Sequence, residues 1–244
     1  LLAVDFGIAW IMLLVGVAVL IGYGIMRPNE YPDMTAHLLP LTLFVLAALF
    51  LLVPSPLALK GVEVFLPPPA SLKIVQETLK ESPFFGVGPG QFSEAYAKYR
   101  SPEMNNNIFW NVRFNSAHSA FLTLAATIGL SGAGIWFLLC LAALFGSSYR
   151  LIKAPLGDER RIGLMVLASF CSILVARFLY PSNMTLEFLF WYALALTAIS
   201  AADLTVKRSF LGAPRLTLIF SLGFALLFVF GISVIFISAE RYGA

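Results

Sequence analysis

Charged residues are scarce in this chain of 244 residues. Lys, Arg, Asp and Glu together make up 12% of it, whereas 59% of the residues are hydrophobic and 22 are phenylalanine. A soluble domain of this length needs a larger polar surface than these residues provide. The composition therefore excludes an ordinary water-soluble fold and indicates an integral membrane protein.

Metal-ligating residues are scarce too. The chain has two cysteines, Cys140 and Cys171, and two histidines, His37 and His118. Because the sequence has no CxxC pair and no ligand set at metal-site spacing, we predict no metal site and interpret the cysteines as packing residues. The net charge of +3 is spread over several loops, so no nucleic-acid partner is indicated.

The chain instead has long apolar runs. About 20 apolar residues cross a hydrocarbon core roughly 30 Å thick, and six segments reach or approach that length. They are Phe6 to Met26, Ala36 to Val53, Ala117 to Phe145, Ile162 to Tyr180, Leu186 to Ala202 and Leu216 to Ser238. The third run is long and contains GLSGAG. The alternative to one long span there is an interfacial turn followed by a span that begins near Leu130. The sequence predicts an all-α, polytopic membrane helix bundle.

Basic residues in the short links predict the orientation, because positive charge is retained on the cytoplasmic side. The links 27–35, 146–161 and 203–215 hold Arg27, Arg150, Lys153, Arg160, Arg161, Lys207, Arg208 and Arg215. The long loop 54–116 and both chain ends then lie on the outer side.

This orientation divides the chain into three parts. Residues 1–53 form two membrane helices, 54–116 a periplasmic loop with short amphipathic helices, and 117–244 four membrane helices. Because a chain that begins at Leu1 on the translocated side needs preceding spans, we expect it to be the C-terminal part of a longer protein.

Two amphipathic helices are predicted in the outer loop. Ser71 is predicted to cap the first, which ends at Glu81 with a Lys73–Glu77 ion pair. The apolar face of that helix is predicted to hold Leu72, Val75 and Leu79. The second helix is predicted over Gln91 to Tyr99, with its aromatic side made of Phe92, Tyr96 and Tyr99.

A glycine-punctuated segment, GVGPG, joins these helices. Gly86, Gly88 and Gly90 allow the backbone to turn sharply there. We interpret the segment as a turn; the alternative is a cradle of amide groups for phosphate.

His118 lies where the outer loop meets the third apolar run. Ser116 is predicted to cap that helix and to place His118 in its first turn, where the helix dipole disfavours the imidazolium form. A neutral imidazole at the membrane surface suits a general base. The alternative is that His118 only bonds a loop carbonyl.

Two arginines are candidates for binding a diphosphate. Arg113 lies among aromatic residues in WNVRFN, and the alternative role there is an interfacial anchor. Arg177 lies inside the fourth span, where burial of a cation costs free energy and therefore indicates either a partner of opposite charge or a function. Glu187 enters the fifth span at similar depth, so a structural ion pair is the alternative role of Arg177.

The order of these motifs resembles that of the O-antigen ligase and polymerase family. A short helix is followed by SPFFGVGPGQF, an aromatic helix ending in KYR, and AHSAFLTLAATIGLSG running into a membrane helix. Family members usually read like PLFGVGPGNF and AHNTYLQLLAETGLIG. The resemblance covers about Ser71 to Phe145, with His118 at the family's histidine and Ser119 where the family usually has Asn. Lys73 is the cation nearest to the family's arginine at the start of the first short helix.

The resemblance implies a GT-C-like glycosyltransferase of the bacterial inner membrane that needs no metal and no cofactor. Such an enzyme takes a glycan from an undecaprenyl-diphosphate carrier on the periplasmic face and passes it to a lipid, glycan or protein acceptor. His118 is then the catalytic residue, and Arg113, Arg177 and Lys73 bind the diphosphate. The alternatives are a transporter of small anions and a non-catalytic relative in surface polysaccharide assembly.

The predicted orientation can be tested with single cysteines introduced into the outer loop and into a short link. A membrane-impermeant thiol reagent should label Asn106→Cys in intact cells, because this loop is predicted to be periplasmic. The matched variant Ala154→Cys, in the link 146–161, should be labelled only after permeabilisation. The reverse pattern would invert the topology.

Overall fold

A computed structural model of the chain describes residues 7–27, 34–53, 64–102, 110–153, 157–181 and 183–201. These residues form seven helices and contain no strand, which confirms the all-α class. The helices are α1 (Gly7–Met26), α2 (Met34–Leu52), α3 (Pro68–Glu81), α4 (Phe92–Tyr99), α5 (Ala120–Lys153), α6 (Asp158–Leu179) and α7 (Met184–Ala201). The predicted sixth span, Leu216 to Ser238, lies outside the described residues.

Three of the described helices, α1, α5 and α6, are long and apolar enough to cross a membrane. Shorter apolar segments lie within α2 (Leu38–Leu52) and α7 (Met184–Ser200). Each of the first five predicted runs therefore coincides with an apolar helix, but only three of these helices reach spanning length.

The long helices pack side by side. α1 packs against α2 and α6, and α7 packs against both α5 and α6. Between α5, α6 and α7 the core is aromatic, with Trp136, Phe170 and Phe190 buried. Cys140 is buried in the same cluster and, like Cys171, is a free thiol, as the sequence predicts.

Basic residues cap the C-terminal end of α5. The Nε of Arg160 donates to the carbonyl of Leu151 (2.9 Å), and the Nη2 of Arg27 donates to the carbonyl of Ile152 (3.2 Å). The last carbonyls of a helix have no partner within it, so cations are stabilised there. Two of the links predicted to be cytoplasmic thus meet at one end of the bundle.

α3 packs against α5 and α4, but it starts earlier than predicted. It begins at Pro68, and proline suits the first turn because the missing N–H would have no helical partner there. Ser71 therefore lies inside the helix and is not its cap.

The buried face of α3 also differs from the predicted face. It consists of Ser71, Ile74, Val75 and Thr78. Leu72, predicted to be on the apolar face, is exposed. Glu77 pairs with Lys80 (2.7 Å) and not with Lys73.

α4 has the predicted aromatic side. Phe92 and Tyr96 are buried, and Tyr99 packs against the same cluster. The ring of Tyr96 meets that of Phe114 edge to face at 5.5 Å. An exposed ion pair with Lys98 joins α4 to the end of α3 and lowers the pKa of Glu81; exposed pairs of this kind contribute little stability.

α5 is broken at Gly129, where φ is 70° and ψ is −173°. The break divides α5 into a short arm, 120–128, and a long arm, 130–153. At a rise of 1.5 Å per residue the long arm is about 35 Å long, enough to cross a bilayer core. The helix start predicted near Leu130 is confirmed, because the long arm begins there.

The glycine turn closes the break on its short-arm side. The amides of Val87 and Gly88 donate to the carbonyls of Ala126 (3.0 Å) and Thr127 (2.9 Å), which end the short arm. These carbonyls would otherwise have no partner. Since the two amides are used in this way, the turn interpretation is favoured over the phosphate cradle.

The residues just before the glycine turn close the break on its long-arm side. The amide of Leu130, the first of the long arm, donates to the carbonyl of Pro83 (2.8 Å), and the hydroxyl of Ser131 donates to the carbonyl of Phe84. The backbone turns sharply enough to reach both arms because Gly86, Gly88 and Gly90 all have positive φ.

Gly129→Ala should destabilise the protein. At this φ and ψ any side chain is strained by about 1–3 kcal/mol, and the added methyl would lie 2.3 Å from the carbonyl oxygen of Phe84. Thermal unfolding in detergent should therefore begin at a lower temperature.

The matched control is Gly134→Ala, five residues further along the same helix. A methyl there meets nothing within 4 Å, so the change should be neutral or stabilising by up to about 1 kcal/mol. Equal melting temperatures for the two variants would contradict the role assigned to the break.

Candidate functional site

His118 lies just before α5 and not in its first turn. The helix begins at Ala120, and the hydroxyl of Ser119 accepts the amide of Leu122 (3.2 Å), so Ser119 is the N-cap. The predicted cap, Ser116, is wrong, and with it the argument that the dipole of this helix acts on His118 as a first-turn residue. Both serines are good caps, and the tertiary structure selects Ser119, whose side chain is buried.

The chemistry of Ser119 suits this capping position. Asn and Ser are about equally good N-cap residues, because each offers a short side-chain oxygen to the first free amides. Asn at position 119 is therefore expected to cap α5 about as well as Ser119 does.

His118 is held by α3 and by the segment that precedes α3. Its backbone amide donates to the hydroxyl of Ser71 (2.7 Å), and its Nδ1 lies 3.3 Å from the carbonyl oxygen of Leu66. Ser71 and Leu66 are both almost completely buried, and the His118 side chain is half-buried. Two segments about fifty residues apart in sequence thus meet at His118.

The contact with Leu66 determines the chemistry available to the imidazole. A carbonyl oxygen can only accept, so Nδ1 carries the hydrogen in this bond. In the neutral ring Nε2 then has the lone pair and can accept a proton. The predicted alternative, a histidine that bonds a loop carbonyl, is therefore compatible with the general-base role, because the bond uses only one of the two nitrogens.

Arg177 lies close to the N-terminal end of α5, which begins just after His118. The amide of Ala120 donates to the carbonyl of Tyr180 (2.9 Å), which joins the start of α5 to the end of α6. Arg177 lies one turn before Tyr180 and is 5% exposed.

The side chain of Arg177 makes the ion pair that the sequence predicts as its structural role. It pairs with Glu187, and its guanidinium carbon lies 4.9 Å from the ring centre of Phe190 and 5.9 Å from that of Trp136. Ion pairing and cation–π contacts stabilise a cation in an apolar bundle.

Arg113 lies in a different place, in a cleft of about 500 Å³ beside α4. The cleft is lined by Ser93, Glu94, Tyr96, Ala97, Arg100 and Arg113. Arg113 is exposed. Sequence reasoning missed the other polar residues of this cleft. The helical spacing of Ser93, Ala97 and Arg100 is a signal for a shared face, but only the fold brings residue 113 back onto it.

Lys73 is exposed on α3, two residues after Ser71. Residues two apart on a helix do not share a face, so Lys73 does not project with Ser71 toward His118. Within the described ranges, no three His, Cys, Asp or Glu side chains converge as a metal site.

Comparison of the chain with protein-family models, with curated proteins and with solved structures found no match. In the part of the chain that the structure describes, the fold and site define a helical protein with three helices long and apolar enough to cross a membrane, in which a glycine turn closes a broken helix beside a half-buried histidine.

Ser71→Ala should destabilise the region around His118. The substitution leaves the His118 amide without its acceptor in a buried setting, which typically costs about 1–3 kcal/mol. Thermal unfolding in detergent should show a lower midpoint.

The control for Ser71→Ala is Ser169→Ala on α6. The Ser169 hydroxyl is exposed and bonds only to Met165 in its own helix (2.9 Å), so its removal should change stability by less than about 0.5 kcal/mol. Equal melting temperatures for Ser71→Ala and Ser169→Ala would show that the Ser71–His118 bond does not stabilise the structure.

Proposed function

We propose that the protein is a bacterial membrane glycosyltransferase of the O-antigen ligase or polymerase type. It transfers or polymerises a glycan taken from an undecaprenyl-diphosphate carrier on the periplasmic face of the inner membrane. A GT-C-like bundle with six spans in this part of the chain belongs to the same proposal. The motif resemblance over Ser71 to Phe145 is its first support.

One structural observation supports the enzyme over its alternatives: His118 contacts a carbonyl through Nδ1, which leaves Nε2 as a base. The two motifs of the resemblance also meet in the fold, because the glycine turn closes the break in the helix that follows His118. Both features suit a reaction at the membrane surface.

The reaction follows from this arrangement. Nε2 of His118 removes the proton of an acceptor hydroxyl as its oxygen attacks the anomeric carbon of the lipid-linked sugar. The bond from that carbon to the diphosphate oxygen breaks, and the diphosphate leaves with the polyprenyl carrier. A cation beside the departing diphosphate stabilises the developing charge.

Of the three proposed diphosphate ligands, Arg113 has the most accessible setting. It is exposed in a cleft, and a guanidinium can form two parallel hydrogen bonds to phosphate. Arg177 already pairs with Glu187, so a role for it in binding requires that the diphosphate share this pair. Lys73 requires the substrate to reach the exposed face of α3.

The transporter alternative has no comparable support. A transporter site is typically built where a helix breaks and leaves its backbone groups for the substrate. At the break in α5 the carbonyls of Ala126 and Thr127 and the amide of Leu130 are already bonded to the glycine turn and to Pro83 before it. The remaining alternative is a non-catalytic relative, and the transfer experiment below distinguishes it from an enzyme.

His118→Ala should abolish glycan transfer while the protein still inserts and binds its donor. A general base typically contributes about 10²–10⁴-fold in rate. His118→Gln should be nearly as inactive, because an amide accepts a hydrogen bond but takes up no proton at neutral pH. The measurement is transfer from lipid-linked oligosaccharide by the purified full chain.

The matched control is His37→Gln on α2, which should retain transfer activity. Normal activity of His118→Gln would contradict the general-base role and leave His118 a structural part of the loop. No transfer by the unmodified protein, despite binding of the donor, would favour the non-catalytic relative.

A further inference from the structure

Phe84 and Phe85 are exposed although their backbone is held in place. Their side chains are 65% and 78% accessible. The carbonyl of Phe84 accepts the hydroxyl of Ser131, and the neighbouring Pro83 accepts the amide of Leu130. The exposure therefore comes from a segment fixed to α5, and large exposed apolar groups of this kind mark a binding surface.

The two phenylalanines lie beside the N-terminal end of an exposed stripe of residues on the long arm of α5. The stripe repeats at helical spacing and consists of Ser131, Ile135, Leu138, Ala142, Phe145 and Tyr149. Its first residue, Ser131, is the one bonded to Phe84. The phenylalanine pair thus continues the stripe beyond the helix itself.

The length of the stripe matches a bilayer. From Ser131 to Tyr149 it extends about 27 Å at 1.5 Å per residue, close to the roughly 30 Å of a hydrocarbon core. At its far end the ammonium of Lys153 lies 4.2 Å from the ring centre of Tyr149, an arrangement suited to the membrane interface. The near end, with Phe84 and Phe85, then falls at the opposite boundary of the core.

The residue sizes favour lipid over another helix as the occupant. Membrane helices approach one another through small residues. The buried face of the long arm is small at four of its six buried positions, Ala133, Cys140, Ala143 and Ser147, and large at Trp136 and Leu151. The exposed stripe instead has Ile135, Leu138 and Phe145, whose large side chains suit acyl chains.

We propose that Phe84 and Phe85 insert into the bilayer leaflet on the side of the outer loop and anchor the glycine turn to lipid. This surface has a consequence for the fold, because the turn it anchors also closes the break at Gly129. The bilayer thereby holds the same turn that joins the two arms of α5. The proposal does not depend on glycan transfer.

Spin-label accessibility tests this anchor. Phe85→Cys in a Cys140→Ala, Cys171→Ala background is labelled and placed in nanodiscs of phosphatidylcholine and phosphatidylglycerol. Collisions with oxygen, which concentrates in hydrocarbon, are compared with collisions with a water-soluble nickel chelate. Leu138→Cys is the reference for lipid, and Gln76→Cys, on the exposed face of α3, is the reference for water.

The oxygen-to-nickel collision ratio at position 85 should be several-fold higher than at position 76 and close to that at position 138. A ratio equal to that at position 76 would overturn the proposal, because the side chain would be in water. Little collision with either agent would also overturn it, because another protein segment would then cover the surface. If Phe85→Cys does not fold, Phe84→Cys gives the same test with the same expected result.

Discussion

The described structure depends on the break in α5 at Gly129. A helix interrupted near a membrane boundary exposes carbonyls and amides that lipid cannot satisfy. Here the turn after α3 supplies the partners on both sides, with Val87 and Gly88 as donors and Pro83 as acceptor. The segment after α3 and the helix α5 are therefore one structural unit, and displacing that segment would leave the carbonyls of Ala126 and Thr127 and the amide of Leu130 without these partners.

This unit places the histidine. The short arm of α5 holds the loop core, in which Ala125 and Ala126 pack with Ile74 and Phe92. His118 enters from the start of that arm and is fixed by Ser71 on α3. The proposed role of His118 as a base requires such support, because a loop histidine without fixed neighbours cannot be oriented toward a substrate. Phe121, in the first turn of the same arm, packs against Trp136, which is an aromatic neighbour of Arg177.

Several features were accessible from the sequence because they depend on local pattern. Apolar runs predicted the five apolar helices, and the aromatic spacing of α4 predicted its buried side. The predicted start of a span near Leu130 agrees with the long arm, since the glycines of GLSGAG indicate interruption of a helix. The pairing of Arg177 with Glu187 was accessible as an alternative, because a cation at that depth requires an opposite charge.

The helix caps and the buried faces of the helices could not be predicted from local pattern. Ser71 and Ser119 are each suited to cap a helix, yet only Ser119 does so, because Pro68 starts α3 earlier and turns Ser71 toward His118. The bonds between the glycine turn and α5 join backbone atoms some forty residues apart, and a backbone group carries no signature of its partner in the sequence. The sequence by itself determined the all-α class, the long apolar helices and the presence of turns, since these follow from composition and spacing. Only the tertiary structure decided which backbone groups meet across the break and which ring nitrogen of His118 contacts Leu66, because both depend on contacts between distant segments.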